Sequence, residues 1–162
     1  MCGFAGFLDT SRGTTKEAFL KNLELMGKAI NARGPDDHGE WCDPEMGIGL
    51  EHRRLSIIDL SPAGHQPMAS SDGRYVIAYN GEVYNFPELR QQLEDEGSAP
   101  QWRGHSDTEI MLAAIVAWGF EKALKNFDGM FAFALWDRKE KTLTLARDKI
   151  GEKPLYYGWV GP

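Results

Sequence analysis

Cys2 directly follows the initiator methionine. That methionine is normally removed when the next residue is small, so the mature chain is expected to begin with a thiol and a free α-amine on one Cα. Their reference pKa values, about 8.5 and about 8, let the amine take the thiol proton at neutral pH, as the N-terminal amine does in threonine-type hydrolases. The thiolate is a strong nucleophile. One residue would then supply both nucleophile and base. The alternative is a small apolar side chain leading into a strand, the ordinary fate of a lone cysteine.

Acyl transfer also needs donors aimed at a developing oxyanion. The Asn80 amide and the Gly81 N–H could supply two, with glycine allowing close backbone approach; as a bare dipeptide, Asn-Gly more often marks a hairpin turn. An amino-acid substrate carries a carboxylate and an ammonium. Arg54 could bind the first through a bidentate pair, and Glu82 and Asp107 the second. Taken singly, Arg54 and Glu82 also fit solvated strand faces, and Asp107 fits a helix N-terminus, where acids are favoured. His38, His52, His65 and His105 lack metal-ligand spacing. No glycine motif for phosphate is present.

Secondary elements must hold these residues. Gly3 to Leu8 reads as a buried strand. Thr14 to Ala32 reads as an amphipathic helix, since Phe19, Leu23, Met26 and Ile30 recur at helical spacing. Arg33 to Gly39 is punctuated as a loop. Short strands are expected at Gly47 to His52, Arg54 to Ile58 and Tyr75 to Tyr79, the last running into a turn at Asn80-Gly81. Pro87 to Glu96 reads as a helix with Gly97 beyond its end. Ser106 to Glu109 has the form of a capping box opening a long apolar helix. Met130 to Trp136 and Thr142 to Ala146 read as strands joined by a charged turn, and Leu155 to Trp159 as a possible last strand. Helices packed on antiparallel sheets, an α+β fold, follow from this order.

Size and charge narrow the function classes. The 162 residues suit one domain. A net charge of -6 gives no support to a nucleic-acid or anionic-membrane partner. The longest mostly apolar run, Ile110 to Phe120, is too short to span a bilayer, and no secretory signal is visible. Cys2 and Cys42 make no disulfide framework, which favours a reducing cytoplasm.

Read in order, seven motifs make a pattern: Met1 to Gly6, Arg33 to Asp36, His52 to Asp59, Asn80 to Asn85, Ser106 to Glu109, Asp128 to Phe133, and Arg147-Asp148 with Gly151 to Tyr157. Together they resemble the class II glutamine amidotransferases, and among them the asparagine synthetase branch, over the whole chain. The resemblance implies the N-terminal-nucleophile hydrolase fold, an αββα sandwich of two antiparallel sheets between helix layers. It implies hydrolysis of L-glutamine to glutamate and ammonia through a γ-glutamyl thioester on Cys2. By motif position Asn80 and Gly81 would form the oxyanion hole, Arg54 would take the α-carboxylate, and Glu82 and Asp107 the α-ammonium. Leu55, Ser56, Ile57 and Ile58 would contact glutamine through their backbone, and Arg33 would support the site.

The same resemblance implies that residues 1–162 form a glutaminase domain with no metal or cofactor of its own. A following synthetase domain, using ATP and magnesium, would receive the ammonia and amidate aspartate or another carboxylate; an oligomer is possible. Phe4 departs from the branched aliphatic residue more usual there, and His65 in His65-Gln66-Pro67 has no assigned role. Three rivals stand beside this reading: a catalytically silent domain that keeps the fold, a thiol redox protein using Cys2 and Cys42, and the glutaminase half of another class II amidotransferase. The complete constellation of Cys2, Arg54, Asn80, Glu82 and Asp107 argues against the first, and the lack of a Cys-x-x-Cys motif against the second.

Overall fold

Side chains alternate between the two faces of a strand, and that period builds the centre of this molecule. In the computed structural model, which describes residues 2–57 and 59–161, Ile48 and Leu50 of β3 (Ile48–Arg54) meet Val76 and Ala78 of β5 (Tyr75–Val83) and Ala134 and Trp136 of β6 (Gly129–Asp137). These six residues form the core between two sheets.

One sheet has three strands in the order β1 (Gly3–Leu8), β3, β2 (Asp37–Asp43). The other has four, in the order β4 (Met68–Ala69), β5, β6, β7 (Thr142–Arg147). All pairings are antiparallel.

Helices cover both outer faces. α1 (Lys16–Ala29) lays Phe19 and Leu23 on the three-stranded sheet. A Cβ at Gly49 would come within 2.5 Å of the Phe19 ring, so glycine there permits the close approach. On the far side, α2 (Phe86–Asp95), α3 (Asp107–Trp118) and α4 (Phe120–Asn126) pack against Ile77, Tyr79, Phe131, Phe133 and Leu135. α3 is buried continuously from Asp107 to Ile115, which explains its apolar sequence on all sides. The layers are therefore helix, sheet, sheet, helix, the αββα sandwich expected from the sequence.

Several local expectations need correction. Two strands go beyond those expected: the two-residue β4, and β2, which begins at Asp37 inside the expected loop because β3 offers it a free edge despite its polar composition. A single strand, β3, replaces the two expected between 47 and 58, and residues 55–57 form no strand. Asn80-Gly81 is not a turn: β5 continues through it to Val83, held by pairing with Ala132 and Phe131. Leu155 to Trp159 form no strand, and Tyr156, Tyr157 and Trp159 are exposed. α1 ends at Ala29, followed by a 3-10 turn over Asn31–Arg33. The capping box is half made. Ser106 Oγ accepts from the Glu109 N–H at 3.4 Å, while the Glu109 carboxylate turns to the Arg103 and Gly104 N–H groups at 2.9 and 3.1 Å.

Candidate active site

Cys2 enters β1, whose pairing of Gly3 with Arg53 brings the thiol to the end of β3. The half-buried Sγ lies between the polar groups of one residue: the Leu55 N–H donates to it at 3.3 Å, and the thiol donates to the Leu55 carbonyl at 3.5 Å. The amide can serve the thiol or the thiolate, but the carbonyl serves the thiol alone. Arg33 Nε donates to the Cys2 carbonyl at 3.3 Å. The loop behind it is tight, since a Cβ at Gly34 would fall within 2.5 Å of the Arg53 and Arg54 backbone.

Arg54 ends β3, buried, with its guanidinium turned into the following loop. Nη1 donates to the Ser61 carbonyl at 3.0 Å, and Nη2 donates to the Asp59 carbonyl. Asp37 Oδ2 lies 3.9 Å from Nη1 and accepts a 2.8 Å hydrogen bond from His65 Nδ1. Burial opposes ionisation of Asp37, but the contacts with His65 and Arg54 outweigh it and hold its pKa below the ordinary value. Asp59 behaves alike: burial opposes its charge, and donors from Ser61 and His105 win. Ser56 N–H donates to Asp36 at 2.8 Å, Ile57 is exposed, and Ile58 lies outside the described residues.

β5 carries the remaining residues. Asn80 and Glu82 share the face of Val76 and Ala78, toward the three-stranded sheet. Asn80 is buried, and its amide has no hydrogen-bond partner among the described residues. Gly81 stands opposite Phe131, and a Cβ there would meet the Met130 carbonyl oxygen at 2.3 Å. Glu82 is half-buried. Asp107, the first residue of α3, is 4% exposed. Its Oδ2 accepts from Tyr79 Oη at 2.7 Å and from the Val83 N–H at 3.0 Å, and its Oδ1 from the Thr108 N–H at 2.9 Å. Burial pushes its pKa up, the three donors pull it down, and Glu82 adds to the rise; the net direction is upward.

The predicted residues thus form two groups. Arg54 sits with Asp37, Asp59 and His65 at the end of β3. Asp107 and Glu82 sit at the end of β5, within electrostatic reach of one another, and Cys2 acts on Tyr79 in the same group. His52 links the groups: buried on β3, it lies 2.9 Å from the Tyr79 carbonyl and feels the charges of Arg54 and Asp37. Sequence reasoning assigned no role to Tyr79, His52 or Gln66. Gln66 Oε1 accepts from the Tyr79 N–H at 2.8 Å. The available signal was polar residues inside or beside otherwise apolar strand segments. Among the described residues, no group of three or more His, Cys, Asp or Glu side chains is placed to hold a metal.

A family model described as a glutamine amidotransferase domain matches residues 1–161. Curated relatives include asparagine synthetase (glutamine-hydrolyzing) 1 of Bacillus subtilis, 41% identical over 97% of this chain and 24% of the relative. Asparagine synthetase (glutamine-hydrolyzing) 3 of the same organism is 37% identical over 97% of this chain and 25% of the relative. Amidase chry2 of Gibberella zeae is 38% identical over 97% and 24%. The chain spans about a quarter of the length of these relatives. Among solved structures, it resembles the glutamine phosphoribosylpyrophosphate amidotransferase of B. subtilis, complexed with ADP and GMP. That likeness has a TM-score of 0.50 and 26% identity, over 63% of this chain and 23% of the other.

Proposed function

The chain belongs to the glutamine amidotransferase domain family, and we propose on that premise that it hydrolyses L-glutamine to glutamate and ammonia with Cys2 as nucleophile. The observation that carries the reading is the position of Cys2: directly after the initiator methionine, at the entry to β1, with its sulfur on a backbone N–H donor.

With Met1 removed, the α-amine of Cys2 takes the thiol proton. The thiolate attacks the glutamine δ-carbon, and the carbonyl electron pair moves onto oxygen. The Asn80 amide and the Gly81 N–H stabilise that oxyanion; the Asn80 amide, with no hydrogen-bond partner among the described residues, supports this role. Collapse of the intermediate expels ammonia, which leaves with the proton held by the α-ammonium. Water then cleaves the γ-glutamyl thioester, releasing glutamate and restoring the thiol. Arg54 binds the α-carboxylate, Asp107 and Glu82 the α-ammonium, and the 55–58 segment lines the pocket through its backbone. The positive charge of Arg54 and the negative charges of Asp107 and Glu82 match the two ends of an amino acid.

The names and lengths of the relatives support a further assignment. Residues 1–162 are one glutaminase domain that passes ammonia to an ATP- and magnesium-dependent synthetase domain, with aspartate or another carboxylate as acceptor. The domain itself needs no cofactor. No helix is long and apolar enough to cross a membrane among the described residues, and two free cysteines suit the cytoplasm.

The test is ammonia release from glutamine, with a diazo-ketone glutamine mimic as a covalent label. Cys2→Ala should abolish both turnover and labelling, and mass spectrometry should place a single adduct on Cys2. An adduct on Cys42, or a wild-type chain that neither turns over nor labels, overturns the reading in favour of a redox or silent domain.

A further inference from the structure

Tyr79 is held on three sides. Its N–H donates to Gln66 Oε1 at 2.8 Å, its carbonyl accepts from His52 Nε2 at 2.9 Å, and its hydroxyl donates to Asp107 Oδ2 at 2.7 Å. β4 pairs with β5 only at Ile77 and Val76. Beyond that short strand, the side chains of Gln66 and His52 satisfy the exposed edge of β5. The ring itself is buried among Ile77, Val83 and the residues of α3. A side chain fixed at both backbone groups and packed around its ring has little freedom to swing its hydroxyl.

The acceptor is unusual in what it lacks. Asp107 is a buried carboxylate with no cationic partner among the described residues; its neighbours there are the three neutral donors and the like charge of Glu82. Removing a carboxylate from water without a counter-charge is costly. Neutral donors offset part of that cost while leaving the charge in place, whereas an arginine partner would cancel it. A carboxylate has about four lone-pair sites. Two on Oδ2 and one on Oδ1 are taken, so a single direction on Oδ1 remains for an incoming donor.

We infer that Tyr79 is a positioning residue that holds the Asp107 carboxylate ionised and oriented for the α-ammonium group of the substrate. The inference rests on the assignment of Asp107 to that group above. The Tyr79 hydroxyl donates to Asp107, so on this assignment its removal bears on recognition of the amine. Two of the three donors to Asp107 are backbone N–H groups, which side-chain substitution leaves in place. The Tyr79 hydroxyl is the replaceable one.

The experiment measures binding of two ligands to the 162-residue chain carrying Cys2→Ala, which prevents turnover. L-glutamine has the α-ammonium; glutaramate, the same molecule without the α-amine, lacks it. NMR titration reads dissociation constants into the millimolar range. Adding Tyr79→Phe should weaken glutamine by about tenfold, the scale of one hydrogen bond to a charged group, and leave glutaramate within about twofold. A general loosening of the pocket would weaken both ligands equally, and that outcome overturns the inference. Asp107→Asn is run in parallel. If it fails to discriminate between the ligands, the assignment of Asp107 is wrong; if it discriminates and Tyr79→Phe does not, only the role of Tyr79 is wrong. Should the phenylalanine variant not fold, 4-aminophenylalanine at position 79 keeps a weaker N–H donor. It should give a smaller loss with the same ligand selectivity, and equal loss for both ligands again overturns the inference.

Discussion

His52 Nε2 lies 2.9 Å from the carbonyl oxygen of Tyr79, a hydrogen bond that ties the three-stranded sheet to the four-stranded one at the depth of the site. A carbonyl can only accept, so Nε2 carries a proton; Nδ1 is buried with no hydrogen-bond partner among the described residues, and burial keeps the imidazole neutral. Burial pushes the His52 pKa down to about 4 from 6.5.

Acid should therefore unfold the protein partly through His52. Its folded pKa is depressed, so the unfolded state binds more protons between pH 6.5 and 4. The contribution is intact above pH 6.5 and is lost as pH falls through 4, amounting to roughly 3 kcal/mol. Urea titrations from pH 7 to pH 4 should show a shallower loss of stability for His52→Gln than for the wild type. Equal slopes would contradict the neutral, buried assignment.

Glu51, next along β3, runs the opposite way. It is 2% exposed beneath α1, with Oε1 at 3.2 Å from Arg53 Nε but in no hydrogen bond. Burial, opposed by Arg53 and reinforced by Glu40, raises its pKa to about 7. A raised carboxylate contributes stability that is complete below about pH 4.5 and disappears as pH rises through 7. Glu51→Gln should thus compare more favourably with the wild type at pH 8 than at pH 5, by up to about 3 kcal/mol. A pH-independent difference would show that the carboxylate stays ionised.

Gly34 has no room for a side chain: an added Cβ would meet three backbone atoms of Arg53 and Arg54 at 2.5 Å. Backbone cannot rotate aside, so Gly34→Ala must displace the loop that carries Arg33 away from the Cys2 carbonyl. The substitution should lower glutaminase activity by about tenfold or more, as small misplacements at reacting groups do. The core residues between the sheets are untouched, so cooperative unfolding should persist. Wild-type activity in Gly34→Ala would count against a role for this loop.

Arg54 combines two duties, since the guanidinium that would bind a carboxylate also anchors the carbonyls of Asp59 and Ser61. Arg54→Ala should raise the glutamine KM by roughly thirtyfold or more, from the loss of about 2–5 kcal/mol at a desolvated charge. It should also loosen the 59–64 loop, which limited proteolysis would detect. Binding of glutaminamide, which has no α-carboxylate, should change little; an equal loss for both ligands would remove Arg54 from substrate recognition.

His65 and Arg54 both lie against Asp37 Oδ2, at 2.8 and 3.9 Å. Without His65, Asp37 is free to turn fully onto Arg54 and compete with a substrate carboxylate. His65→Ala is expected to raise the glutamine KM by roughly three- to tenfold, and Asp37→Asn in that background to restore it, the non-additivity typical of side chains in one network. Simple addition of the two effects would show that the contacts are independent.

The sequence by itself determined the family through its seven ordered motifs and most helices and strands through their apolar periods, and it nominated Cys2 as nucleophile by its placement. These signals are local: spacing along a helix, alternation along a strand, a serine three residues before its amide partner. The tertiary structure alone decided whatever depends on a distant partner. Asp37–Asp43 has no strand pattern and becomes β2 because β3 presents unpaired backbone groups beside it. Asn80-Gly81 carries a turn signature yet stays extended, because Ala132 and Phe131 supply a ladder that outweighs local preference. Tyr79 and Asp107, 28 residues apart, meet only when α3 packs across β5. Burial then makes that contact consequential, for a phenol on a carboxylate matters little in water and a great deal where no water can replace it.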